Sequence, residues 1–205
     1  MKQHDRKQQT KRKILNNALN EFAEKGYERS SVNNIYDSAQ GISKGIIYHY
    51  FSSKDELFLS CVGECFLQLK DYIEQQFIMN NLSENIQDCI TEYYLTRRNF
   101  FEKYPQYQRI FFEAVIIPPV HLKEEIQLLR QPMEKLNIQI LENILSKKTM
   151  RIKLDQRKAA EVLINFIHFM DVQYSTNEEL SIQDYEKRDL QLLDIFLYGI
   201  LEEEK

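Results

Sequence analysis

Apolar side chains recur every third or fourth residue along most of the chain. The first clear stripe is Ile14, Leu15, Ala18, Leu19, Phe22 and Ala23, which gives a helix over residues 10–25 one apolar face. Gly26 supplies a left-handed cap at its end. Ser30 and Ser31 are N-cap residues for a short second helix with Val32, Ile35 and Ala39 facing inward, closed by Gly41. Ser43 caps a third short helix whose inner residues are Ile47 and Phe51. Ser53 opens a fourth, with Glu56 three residues on forming a capping box and Leu57, Cys61, Cys65, Leu69, Ile73 and Phe77 along its face.

The same periodicity predicts helices over residues 83–103 and 105–117, then from the Pro118-Pro119 break to 147, and over 155–174 and 184–203. No stretch alternates with period two. The predicted fold is all-α with about nine helices. Its first three form a small domain over 1–53 and the rest a larger helical domain over 54–205.

Composition changes this picture in one respect. The chain has 205 residues and a net charge of −4, but residues 1–54 carry ten Lys/Arg against five Asp/Glu, and the remainder carries seventeen against twenty-six. One end is suited to an anion and the rest is not. Cys61, Cys65 and Cys89 form no C-x-x-C pair and read as small buried hydrophobes, so no metal and no cofactor is expected. The first residues, "MKQHDRKQQTKRK", lack an apolar stretch, and "IFFEAVIIPPV" is too short and broken to span a bilayer, so a cytoplasmic protein with no membrane partner is expected. The sequence holds no G-x-S-x-G, no phosphate-cradling glycine loop and no H-E-x-x-H, which argues against an enzyme.

The helices at 31–39 and 43–50 are joined by a glycine-containing turn, the arrangement of a helix-turn-helix. With Ile47 and Phe51 inward, Lys44, Ile46, Tyr48, His49 and Tyr50 face out or along the rim. Periodicity alone leaves open whether this is a reader of the major groove or a capped surface helix in an ordinary bundle.

The local sequence decides between them. "ILNNALNEFAEKGYERSSV", Ile35, Ala39 and "GISKGIIYHYFSSKDEL" closely resemble the N-terminal domain of the TetR family of bacterial transcriptional repressors. The resemblance covers residues 10–57, and beyond it the chain matches only in being helical. Tyr36, Gln40 and Ile46 depart from the family's usual small residues. Tyr36 implies looser packing around the second helix.

The resemblance implies a dimer on palindromic double-stranded operator DNA. Ser30 and Ser31 then suit phosphate oxygens, and Ser43, Lys44 and Gly45 open the recognition helix, where Ile46 and His49 come within reach of bases. Tyr48 anchors on a phosphate beside Tyr50, and Lys54 adds a backbone contact. The basic run Lys7, Lys11, Arg12 and Lys13 adds nonspecific attraction.

The last two helices are apolar almost all round, and the resemblance implies that they pair with a second copy through Phe166, Met170, Leu193, Phe196, Leu197 and Ile200. Cys65, Phe66, Tyr93, Tyr94, Phe101 and Tyr104, with Tyr107, Phe111, Phe112, Phe166, His168 and Phe169, are candidates to line a cavity. Together with Glu92, Glu113 and Asp171 they suit a small organic ligand, possible cations included. The expected function is a repressor released from DNA by that ligand. The alternatives are a helical ligand-binding or interaction protein without DNA binding, or a family member acting as activator.

Overall fold

The computed structural model describes residues 3–38, 44–77, 83–146, 155–173 and 182–200. Among these the protein is all-α, with no strand. Its helices are α1 (Gln3–Arg29), α2 (Val32–Ser38), α3 (Lys44–Tyr50), α4 (Lys54–Gln76), α5 (Ile86–Lys103), α6 (Gln106–Val115), α7 (Lys123–Leu145), α8 (Gln156–Gln173) and α9 (Ile182–Ile200). A 3-10 turn, Val120–Leu122, leads into α7. α7 contains Pro132.

Two compact units form. The first takes the chain up to Gln68 and then Lys103–Gln131; the second takes Leu69–Glu102 and the chain from Pro132 on. In the first, α1 packs on α2 and α6, and α2 on α3. Its core joins Ile14, Ala18 and Phe22 to Ile35, Ile47, Phe51, Phe58 and Phe66, all essentially removed from water. Each isoleucine and phenylalanine among them contributes about 1.5–3 kcal/mol. Phe22 and Phe58 meet edge to face at 5.1 Å between centroids, and Phe66 meets Phe111 the same way at 6.1 Å.

The second unit buries Ile73, Ile90, Phe100, Ile140, Leu163 and Ile167 around a polar centre. Arg97 is fully buried. Its Nη2 and Nε donate to Asp171 Oδ2 at 2.7 and 3.2 Å, and Nη1 reaches Asn137 Oδ1 at 3.5 Å. Tyr93 donates to the same Asn137 oxygen at 2.7 Å, and Tyr94 donates to the buried Asp189 at 2.6 Å. Burial pushes the Asp171 carboxyl up, against the pull of Arg97. Despite its own burial, Arg97 is held in the charged form by Asp171. Cys61, Cys65 and Cys89 are buried and unbridged, and burial beside Cys65 and Glu64 pushes the Cys61 thiol well up.

Two sequence expectations change. α1 begins at Gln3 rather than near residue 10, because the polar stretch before the stripe is itself rich in good helix formers. Gly26 does have a positive φ of 75°, but its ψ of 172° is not that of a left-handed cap. It kinks α1, which then resumes for one turn to Arg29.

Candidate nucleic-acid interface

The first unit holds α2 and α3 by local caps and by contacts distant in sequence. Ser31 Oγ accepts from the Asn34 N–H at 3.1 Å, capping α2. Glu21 of α1 accepts from the Ser31 N–H at 3.3 Å, from Asn34 Nδ2 at 2.8 Å and from Lys25. Burial pushes the Glu21 carboxyl up, and these donors outweigh it, so its pKa lies below the ordinary value. At the start of α4, Ser53 Oγ accepts from the Glu56 N–H, and Glu56 accepts from both N–H and Oγ of Ser52 at 2.7 Å. The capping box therefore closes one residue earlier than expected.

α3 is pinned by Ile47 and Phe51, 1% and 2% exposed, and Lys11 Nζ lies 5.6 Å from the Phe51 ring centre. Its other face meets water. Ile46 is 38% and Tyr48 48% exposed, Gly45 and His49 are exposed, and His49 meets the half-buried Tyr50 edge-on at 5.3 Å. A Cβ on Gly45 would meet nothing within 4 Å. Ser43 and the Lys44 side chain lie outside the described residues, as do Ala39, Gln40 and Gly41.

Three expectations need correction. Ser30 is buried, and its hydroxyl donates to the Tyr27 carbonyl at 2.8 Å, so it serves the turn out of α1 rather than a surface contact. Lys54 is engaged within the protein: its ammonium lies 4.4 Å from the Tyr27 ring centre and donates to the Glu28 carbonyl at 3.4 Å. Tyr36 is 37% exposed, so it is accommodated by pointing outward.

Sequence reasoning missed the clamp behind this unit. Glu113 of α6 accepts from the buried Tyr27 N–H at 2.7 Å, and Arg109 Nε donates to Glu113 at 3.3 Å. Arg109 also donates to the Glu24 and Lys25 carbonyls at 2.9 and 3.2 Å. The signal available was an acid inside the apolar run "IFFEAVII", which asks for a buried donor. Nearby, the Tyr27 hydroxyl donates to Asp55 and lies 3.1 Å from His121 Nε2. Tyr27, with His121, holds the Asp55 carboxyl below the ordinary range against mild burial.

The expected ligand-lining residues divide between the units. Cys65, Phe66, Tyr104, Tyr107, Phe111 and Phe112 belong to the first; Tyr93, Tyr94, Phe101, Phe166, His168 and Phe169 belong to the second. Cys65, Phe66 and Phe111 are core, while Tyr104 and Tyr107 line an open groove of about 1260 Å³ in the first unit. Glu113 and Asp171 are committed to Tyr27 and Arg97, which removes them as ligand groups.

The expected dimer residues also divide. Met170, Leu193 and Leu197 are buried within the second unit, Phe166 stacks on Phe196 at 4.4 Å, and the Ile200 side chain lies outside the described residues. Among the described residues of α8 and α9, the large apolar side chains most exposed to water are Val162, Phe169, Ile195 and Tyr198.

Residues 14–61 match the family model for bacterial regulatory proteins of the tetR family. This segment is similar to the DNA-binding domain of that family. The HTH-type transcriptional repressor AcnR of Corynebacterium diphtheriae is 28% identical over 121 residues, which span 52% of this chain and 61% of that protein. IcaR of Staphylococcus aureus, a negative transcriptional regulator of the biofilm operon icaADBC, is 35% identical over 75 residues, 37% of this chain and 38% of its own length. The chain thus matches only part of each relative.

The TetR fold extends further than these alignments. The fatty acid degradation regulator FadR of Bacillus halodurans superposes with a TM-score of 0.71 at 20% identity, covering 89% of this chain and 93% of that one. FadR of Bacillus subtilis, solved with stearoyl-CoA, gives 0.69 at 19% identity over 91% and 97%. No helix among the described residues is long and apolar enough to cross a membrane.

Proposed function

We propose that this chain is a cytoplasmic transcriptional repressor of the TetR family that binds a palindromic operator as a homodimer and is released by a small organic ligand. The observation that carries the reading is the outer face of α3. Ile46, Tyr48 and His49 stand in water beside the open position at Gly45, while Ile47 and Phe51 hold the helix down. An isolated seven-residue helix gains nothing in stability from exposed aromatic and aliphatic side chains, whereas a helix entering the major groove uses them. Lys44, Gly45, Ile46, Tyr48 and His49 are assigned to DNA, with Ser31 at the start of α2 and Ser43 before α3. Repression rather than activation is supported by AcnR and IcaR, both negative regulators.

The dimer is supported by Val162, Phe169, Ile195 and Tyr198, exposed on the α8–α9 face. Two copies must hold their α3 helices about 34–36 Å apart to enter successive major grooves.

The test is fluorescence anisotropy with palindromic DNA from the promoter region of the chain's own gene, across about 50–200 mM salt. Binding should fall with salt, prefer the palindrome over a scrambled duplex, and weaken on Tyr48→Ala. Equal affinity for both duplexes, unchanged by Tyr48→Ala, would leave a helical interaction protein without DNA recognition.

A further inference from the structure

The first unit also holds a groove, lined in part by Lys11 and Arg12 of the basic run. It runs between α1, α4, the start of α6 and the start of α7, with a volume of about 1260 Å³, above the range of about 300–1000 Å³ common for small-molecule sites. Six leucines line it among polar residues that include Lys11, Arg12, Glu56, Glu64 and Glu125. Leu67 is 50%, Leu128 64% and Leu129 37% exposed, with Leu15, Leu19 and Leu59 deeper in the lining. Three exposed aliphatic side chains in one groove give it an apolar surface suited to an alkyl chain.

The polar groups of the lining are distributed unevenly. Toward the start of α1, Lys11 already has partners: the Phe51 ring at 5.6 Å and the charge of Glu56. At the other end stand Tyr104 and Tyr107, their ring centres 6.3 Å apart and tilted by 58°, with Glu64 alongside. Glu64 receives an amide from Gln68 at 3.1 Å and makes no ion pair among the described residues. Its charge reaches Tyr107, whose phenol is pushed up first by burial and then by Glu64. The Tyr104 ring already accepts an ammonium, that of Lys103, at 5.3 Å. Two tilted phenol rings beside a carboxylate without a cationic partner form a cation-binding corner.

We propose that this groove binds an amphiphilic organic cation, with the cationic head between Tyr104, Tyr107 and Glu64 and the aliphatic tail along Leu67, Leu128 and Leu129. The head and tail positions use none of the residues assigned to DNA on α2 and α3. Binding of the cation does not depend on that reading, and only its identity as the releasing ligand does.

Gly63 offers a way to close the groove. It sits in the wall on α4, where an added Cβ would meet Leu129 at an ordinary 3.5 Å. Gly63→Leu therefore starts without a clash and fills the space beyond, while leucine favours the helix over glycine.

The experiment titrates decyltrimethylammonium, below its micellar concentration, into the full chain by isothermal calorimetry. Decyl sulfate, with the same tail and opposite head, is the control. The expected result is saturation at one cation per chain, with decyl sulfate weaker by about ten-fold or more. Glu64→Gln and Tyr104→Ala, both at partly exposed positions, should each weaken the cation by about five-fold or more and leave decyl sulfate unchanged. Gly63→Leu should abolish binding with its thermal unfolding midpoint kept.

Equal affinity for the two heads, tighter binding of the sulfate, or indifference to both Glu64→Gln and Tyr104→Ala would overturn the proposal. Operator binding is measured separately by anisotropy. Loss of the cation site with operator binding intact sinks the groove alone, and the reverse sinks the DNA reading alone.

Discussion

Gly26→Ala is predicted to be the most damaging single-methyl change in the first unit. At φ 75° and ψ 172° the backbone lies in a region essentially reserved for glycine, and a side chain there costs about 1–3 kcal/mol. Space adds to this. The new Cβ would lie 2.2 Å from Glu113 Oε1 and 2.7 Å from Arg109 Nη2, so Glu113 must withdraw and release the Tyr27 N–H. A buried hydrogen bond to a charged group is worth about 1.5–3 kcal/mol. The two effects together give about 2.5–6 kcal/mol, and at about 2–4 °C per kcal/mol the midpoint falls by roughly 5–24 °C.

Thermal unfolding followed by far-ultraviolet circular dichroism measures the fall, and a double-mutant cycle tests its cause. Glu113→Ala removes the same acceptor that Gly26→Ala displaces. The double variant should therefore cost about 1.5–3 kcal/mol less than the sum of the singles. Additive losses would show that Glu113 is not what the new methyl meets. A midpoint within about 3 °C of wild type would refute the conformational argument as well.

Other expectations can be checked alongside. Arg97→Met or Asp171→Leu alone should destabilise by about 3–5 kcal/mol in urea unfolding, because each strands a buried charge, while the double variant should cost far less than their sum. Asp55 has a lowered pKa, so its contribution is full above the ordinary aspartate value of 3.8 and is lost as pH falls below it. Asp55→Asn should flatten the urea midpoint between that range and lower pH, and an unchanged acid limb would remove the Tyr27–Asp55 bond from the explanation. Ile46 can pack on a thymine methyl, so replacing the contacted thymine by uracil should weaken binding by about 1 kcal/mol or less, and equal affinity at every thymine of the half-site would take Ile46 out of the readout. Gly45→Ala should raise the thermal midpoint, since its Cβ meets open space and alanine favours a helix by about 1 kcal/mol. It should nevertheless weaken operator binding if DNA comes close there.

How much could be read beforehand depended on the range of the interaction. The run of helices was readable because caps and stripes act within a few residues: Ser31 on Asn34, Ser53 on Glu56, Ile47 and Phe51 on one face. What could not be read was pairing across the chain. Tyr27 and Glu113 are 86 residues apart and Arg97 and Asp171 are 74 apart, and no spacing rule connects them. Ser30 illustrates a subtler failure. Its neighbour Ser31 takes the cap of α2, and the same residue type one position earlier turns inward to the Tyr27 carbonyl. The aromatic residues grouped by composition divide between two cores for a similar reason, since enrichment along the chain says nothing about which residues share a neighbour.

The buried thiols give the molecule an internal clock. A thiolate is the reactive species, and Cys61, Cys65 and Cys89 are fully removed from water, with the Cys61 thiol pushed further from ionising. An alkylating reagent therefore reacts only in moments when the surrounding helices part, and its rate counts those openings. Cys61 and Cys65 report on the first unit and Cys89 on the second. Separate modification rates, read by mass spectrometry, would time the two units individually in the unmodified wild-type chain, with no label introduced.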